Sequence, residues 1–116
     1  MSPDPATARL NLEQLVALVD ERARGGAAGD KPSYTRTLLG KGVAKCAQKL
    51  GEEAIETALA AVAGDSKAVV SEAADLLYHL AVLLHVREIP LDAVYAELGR
   101  RTAQSGLEEK AGRGSA

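Results

Sequence analysis

Four acidic residues stand in two pairs of the same spacing, Glu53-x-x-Glu56 and Glu72-x-x-Asp75, and the second pair lies in one of the most apolar stretches of the chain. Residues three apart share a helix face, so each pair presents two carboxylates side by side. Ionised carboxylates in an apolar setting need a paired cation or a metal, because leaving them unpaired costs several kcal/mol. Every candidate ligand is a hard oxygen donor, which suits Mg²⁺, with Mn²⁺ as a substitute. A di-iron bundle needs Glu-x-x-His pairs, whereas the second members here are Glu56 and Asp75. Zinc is disfavoured by one cysteine and two histidines at no ligand spacing. Carboxylate-held Mg²⁺ keeps waters and takes its other ligands from substrate phosphates. Lys41, Lys45 and Lys49 recur every fourth residue and lead into Glu53. Cations beside a metal-binding acidic cluster describe a polyphosphate site.

The elements that must hold these groups are helices. Asn11 with Gln14 forms a capping box ahead of "LEQLVALVDERAR", where Leu12, Leu15, Val16 and Val19 recur at helical spacing. "GGAAGDKPS" (Gly25–Ser33) breaks the chain, and Pro32 and Ser33 start a short helix, "YTRTLL", that closes near Gly40 and Gly42. From Val43 to Ala63 the apolar positions Val43, Ala47, Leu50, Ala54, Ala58 and Val62 fall on one side and Glu52, Glu53 and Glu56 on the other. Gly51 sits awkwardly inside this helix, implying a closely packed partner or an interruption. Gly64 and Asp65 stop one helix and cap the next, which runs to about Glu88; Pro90 serves as the first residue of a last helix through Leu98. The tight Gly-Asp turn makes the two long helices antiparallel neighbours, so the two acidic pairs face each other. Residues 1–9 and about 107–116 read as flexible ends of a single domain.

A solvated, salt-bridged face is the bland alternative for the first pair, with Lys49 and Glu53 at i,i+4. It does not fit fully, because Glu52 and Glu56 are like charges at i,i+4 with no cation within the next turn. The 66–88 helix is apolar nearly all round, which means burial on most sides. A 116-residue chain with no Phe, no Trp and only 3% aromatic residues builds its core from Leu, Val, Ile and Ala. Such a thin layer cannot cover that helix alone, so the expected architecture is an all-α antiparallel bundle of four to five helices completed by homodimerisation.

Composition narrows the function classes. A net charge of −2 argues against a nucleic-acid partner. The single cysteine, Cys46, fits a reducing compartment. "MSPDPATARLNLEQL" lacks the apolar region of a signal peptide, and no apolar run reaches the roughly 18 residues of a membrane span, so no membrane partner and a cytoplasmic location are expected.

The stretches "SYTRTLLGKGVAKCAQKLGEEAIETALAA", "SEAADLLYHLAVLL" and "ELGRRTAQSGLEEKAGR" resemble the phosphoribosyl-ATP pyrophosphatase family of histidine biosynthesis, within the MazG-like all-α nucleoside triphosphate pyrophosphatases. The acidic quartet marks the superfamily, while the "SYT" start and "QKLGEEAIE" mark the family; the likeness spans most of residues 12–113. It implies a Mg²⁺-dependent homodimer that hydrolyses phosphoribosyl-ATP to phosphoribosyl-AMP and pyrophosphate, the second step of the pathway. By the resemblance, Glu53, Glu56, Glu72 and Asp75 hold metal, and Lys45 and Lys49 hold phosphate oxygens, with Lys41 beside them. Glu52 or Glu56 positions or deprotonates the attacking water. The enzyme of the following step is expected on another chain.

Other residues leave two readings open. His79 orients the Asp75 carboxylate or is a satisfied core histidine; Tyr34 stacks on a base or anchors its loop. Ser33 and Thr35 are caps or ligand contacts, His85 is structural or exposed, and Cys46 is a small packing residue. Arg100, Arg101 and Arg113 are solvated or capping charges, or serve a substrate phosphate. A housecleaning pyrophosphatase acting on free (d)NTPs would share the metal site. A non-enzymatic helical interaction module would instead have its acids salt-bridged.

Overall fold

The computed structural model describes residues 8–25 and 33–103. The expectations for the two ends and for most of the Gly25–Ser33 break lie outside those residues. Five helices follow in order: α1 (Leu12–Ala23), α2 (Tyr34–Gly40), α3 (Val43–Ala63), α4 (Ser66–Val86) and α5 (Leu91–Thr102), with no strand among the described residues.

Local chemistry sets the boundaries. The Asn11 side chain accepts from the Gln14 amide at 2.8 Å while the Gln14 side chain accepts from the Asn11 amide at 2.8 Å, closing the predicted capping box. Ser33 caps α2 through the Arg36 amide, and Asp65 caps α4 through the Ala68 amide, each at 3.0 Å. Gly64, at φ 80°, provides the left-handed residue that ends α3 and lets the chain reverse into α4. Pro90 stands one place earlier than predicted. Its ψ of 143° is extended, which makes it the N-cap and leaves Leu91 as the first helical residue.

The antiparallel α3–α4 pair is the spine, with α1 packed on α4 and α2 wedged against α1, α3 and α4. Val19, Leu38, Cys46, Ala81 and Val82 are the buried centre, flanked by Leu15, Val16, Leu39, Tyr78, Leu83 and Val86. Leu91 is the only buried residue of α5. α3 continues through Gly51 without interruption, and a Cβ there would meet open space within the chain.

Two expectations change at this level. α4, Ser66–Val86, is long and apolar enough by length and composition to cross a membrane, which corrects the expectation that no run reaches that length. Its carboxylates and His79 are what break the run to the eye. Nor is α4 buried on most sides: Val70 and Leu77 face outward, as do Ile55, Leu59 and Val62 of α3. α3 therefore turns acidic residues toward α4 and part of its apolar side away from the chain.

Candidate active site

The helix pair brings together three of the four expected acids. Glu53, Glu56 and Glu72 each offer a carboxylate oxygen, and the three atoms lie within 4.8 Å of one another. Glu53 is only 9% exposed, Glu72 is half-buried and Glu56 is exposed, so the cluster runs from the α3–α4 interface out to solvent. Asp75, one turn beyond Glu72, is exposed and stands outside this group of three.

Oε2 of Glu53 and Oε2 of Glu72 are buried with no hydrogen-bond partner. Three ionised carboxylates held this close repel one another, and the relief available without a cation is a shared proton. Hydrogen bonding of a protonated Glu72 carboxyl to Glu53, then to Glu56, with partial desolvation, pushes the Glu72 pKa up to about 7. Hard oxygen donors, two of them orphaned, fit a divalent cation of the Mg²⁺ or Mn²⁺ kind.

A basic flank adjoins the acids. Lys49 Nζ donates to Glu52 Oε1 at 3.2 Å, and Gln48 Nε2 donates to Glu52 Oε2 at 2.9 Å. These bonds, Gln48 first, hold the Glu52 carboxyl below its ordinary range, and Glu52 in turn raises the Lys49 ammonium. Lys49 thus pairs with Glu52 rather than with Glu53. The Glu53 carboxylate also favours the Lys49 ammonium, and the Lys45 charge favours the Glu52 carboxylate. Lys41 does not share this helix. It is the C-cap of α2, separated from α3 by Gly42 at φ 91°, so the lysine stripe contains only Lys45 and Lys49.

An aromatic patch joins α2 to α4, two turns beyond Glu72. Tyr34 lies 55% exposed, stacked on Tyr78 with ring centroids 6.2 Å apart and planes at 28°. His79 meets both tyrosines edge-on, at 6.3 and 5.1 Å. Thr35 is not a surface ligand: it is buried, and its hydroxyl bonds the Tyr78 hydroxyl. His79 does not orient the Asp75 carboxylate either. Its Nδ1–H donates to the Asp75 backbone carbonyl at 2.8 Å, the i−4 acceptor of its own helix, and its Nε2 is buried without a partner. Spacing alone shows neither reversal, because the first depends on where α2 lands and the second on the rotamer of the His79 ring. Tyr78 carries no motif signal beyond its place next to His79, three residues after Asp75.

His85 ties α4 to α1, donating from Nδ1 to Asp20 at 2.6 Å. Both line a cleft of about 620 Å³ between α1, the end of α4 and the start of α5 that shares no residue with the carboxylate cluster. Arg100 and Arg101 are engaged with Glu97 on their own helix.

A helical bundle that gathers three carboxylates and a lysine at one helix pair has the groups to hold a cation and a phosphate chain. The sequence profile of phosphoribosyl-ATP pyrophosphohydrolase matches residues 12–102. Among its relatives, a phosphoribosyl-ATP pyrophosphatase of Azorhizobium caulinodans is 63% identical over 90% of this chain and 94% of that protein. One of Methylobacterium radiotolerans is 58% identical over 88% and 92%, and phosphoribosyl-ATP pyrophosphatase 1 of Bradyrhizobium diazoefficiens is 53% identical over 90% and 96%. The chain belongs to the phosphoribosyl-ATP pyrophosphohydrolase family.

Proposed function

We propose that the chain hydrolyses the α–β phosphoanhydride of phosphoribosyl-ATP, giving phosphoribosyl-AMP and pyrophosphate in the second step of histidine biosynthesis, in the cytoplasm. The observation that carries the reading is the pair of buried, unpartnered oxygens on Glu53 and Glu72, in a chain whose relatives bear that enzyme's name. Glu53, Glu56 and Glu72 would hold Mg²⁺, with Asp75 completing the set from the exposed edge. The metal supplies phosphate charge neutralisation and acidification of a bound water.

The chain's own groups divide the rest of the work. Lys45 and Lys49 hold phosphate oxygens and stabilise the charge that moves onto the leaving pyrophosphate. Glu52, committed to Lys49 and held below its ordinary range, is a poor base and serves to aim that lysine. Glu56, the exposed member of the cluster, takes the proton of the attacking water. The new bond joins water oxygen to phosphorus, and the bridging anhydride P–O bond breaks as pyrophosphate leaves with its electron pair.

Pyrophosphate release should be followed from phosphoribosyl-ATP and from a panel of dNTPs, with Mg²⁺ and then with EDTA. Metal-dependent release from phosphoribosyl-ATP alone is the expected result. Release from dNTPs only would replace this reading with that of a housecleaning pyrophosphatase, and release from nothing would return the acids to a structural role.

The working unit is a homodimer. Ile55, Leu59 and Val62 form one stripe of α3, up to 87% exposed, and Val70 and Leu77 form another on α4. Removing such side chains from water is worth about 1.5–3 kcal/mol each, enough to drive association through the open side of the helix pair. Light scattering should give twice the 12.1 kDa chain mass at micromolar concentration, and Leu59→Glu should shift it toward monomer. A monomeric wild-type chain would rule the dimer out.

A further inference from the structure

We propose that Tyr78 is a positioning residue for nucleotide binding: its hydroxyl bond to Thr35 and its stacked ring lock α2 onto α4, so that Tyr34 presents its outer face as a platform for the base. The proposal rests on the phosphoribosyl-ATP reading and adds to it the residue that fixes the base-binding surface.

α2 is the shortest helix of the bundle, seven residues. Leu38 in the core, Leu39 packed against it, the Cys46 thiol on the Leu38 carbonyl and the Thr35–Tyr78 pair hold it to the bundle; of these, only the last carries the Tyr34 ring. Thr35 is 1% exposed, so its hydroxyl has no access to water in place of Tyr78. A hydroxyl with a single buried partner is sensitive to the loss of that partner. Tyr34, the next residue along, leans on the ring that carries the partner hydroxyl, with His79 closing the edge of both rings. One face of Tyr34 is therefore fixed from behind while more than half of the residue remains accessible. Aromatic faces held rigidly beside a cation-lined phosphate site take bases by stacking. His79, which meets the Tyr34 ring edge-on, follows Glu72 by two turns along the same face of α4, and so puts platform and acidic cluster on one side of the helix pair.

The lock makes a prediction that simple structural support does not. Tyr78→Phe keeps the ring and removes only the hydroxyl; Thr35→Val removes the other half of the bond. Each should raise KM for phosphoribosyl-ATP about tenfold while kcat stays within about twofold. The double variant should be no worse than either single one, because both break the same contact. Inhibition by inorganic tripolyphosphate, which has no base, should be unchanged in all three. Thr35→Ser, which retains the hydroxyl, should keep the wild-type KM. An unchanged KM in folded Tyr78→Phe protein, or an equal weakening of tripolyphosphate inhibition, would overturn the proposal. ATP titration by calorimetry gives a readout independent of turnover. If the wild type bound ATP but did not turn over phosphoribosyl-ATP, the functional reading would fail while the lock was still decided by the Tyr78→Phe affinity.

Discussion

Glu53→Gln should lower kcat by at least about a thousandfold, the scale seen when a preorganised electrostatic group is lost from a transition state, while leaving the metal-free fold as stable as before or more so. The two halves of this expectation have one cause. Glu53 is the most buried of the three clustered carboxylates, and one of its oxygens has no donor. Its charge therefore opposes folding in the absence of a cation and is retained for what it binds. An amide of nearly the same shape removes the repulsion and can donate to Glu72 or Glu56, but it no longer offers a charged ligand. Thermal melts with and without Mn²⁺ separate the effects. A ligand at a hundred times its dissociation constant adds about 2.7 kcal/mol to stability, so the wild type should gain a clear shift on metal addition and the variant almost none. By the same logic Glu52→Gln should cost far less activity, since Glu52 acts through Lys49. Turnover of Glu53→Gln within about tenfold of wild type would discard the carboxylate cluster as the metal site.

Removing the metal should abolish turnover, and metal binding should carry a proton signature. In the metal-free protein Glu72 titrates near 7 because it shares a proton with Glu53 and Glu56. A divalent ion must displace that proton. Apparent affinity should therefore fall about tenfold for each pH unit below 7 and level off above it. Stability runs the opposite way in chelator. A carboxyl whose folded pKa is raised favours the folded state at pH values below the ordinary carboxylate range, and that contribution is lost as pH rises through about 7. Melting temperature in EDTA should thus decline between about pH 5 and pH 8, and Mg²⁺ should restore it most at the alkaline end. Calorimetric metal titrations in buffers of different ionisation enthalpy would count the protons released. Binding that is flat with pH, or that releases no proton near neutrality, would contradict the shared-proton cluster.

The backbone was largely legible because its signals are local. The Asn11–Gln14 box, Asp65 and Gly64 act within one turn of themselves, and the helices begin and end where those residues stand. Three of the four expected acids, Glu53, Glu56 and Glu72, do come together, since pairs on helices joined by a tight turn have few ways to avoid each other, whereas Asp75 stands outside the group. Side-chain partners were not legible. Lys41 reads as one step of a regular stripe until Gly42 takes a left-handed φ and ends the helix before it. Thr35 resembles a loop ligand until α2 docks and delivers it to Tyr78. His79 sits one turn from Asp75 in either conformation, and only the ring's orientation shows that it bonds the carbonyl and not the carboxylate. The three turn on a backbone dihedral, a docking of helices and a ring rotamer, none of which residue spacing encodes.

The lone thiol gives the protein a built-in record of its own opening. Cys46 is completely enclosed where α2 crosses α3, donates its S–H to the Leu38 carbonyl, and has its pKa raised by burial. In that state it is closed to alkylating reagents and to oxidants, which act on accessible thiolate. It becomes available only when the helices packed around it, α1, α2 and α4, open. The rate of labelling is therefore a clock for that one event, free of competing thiols in a chain that has no other cysteine.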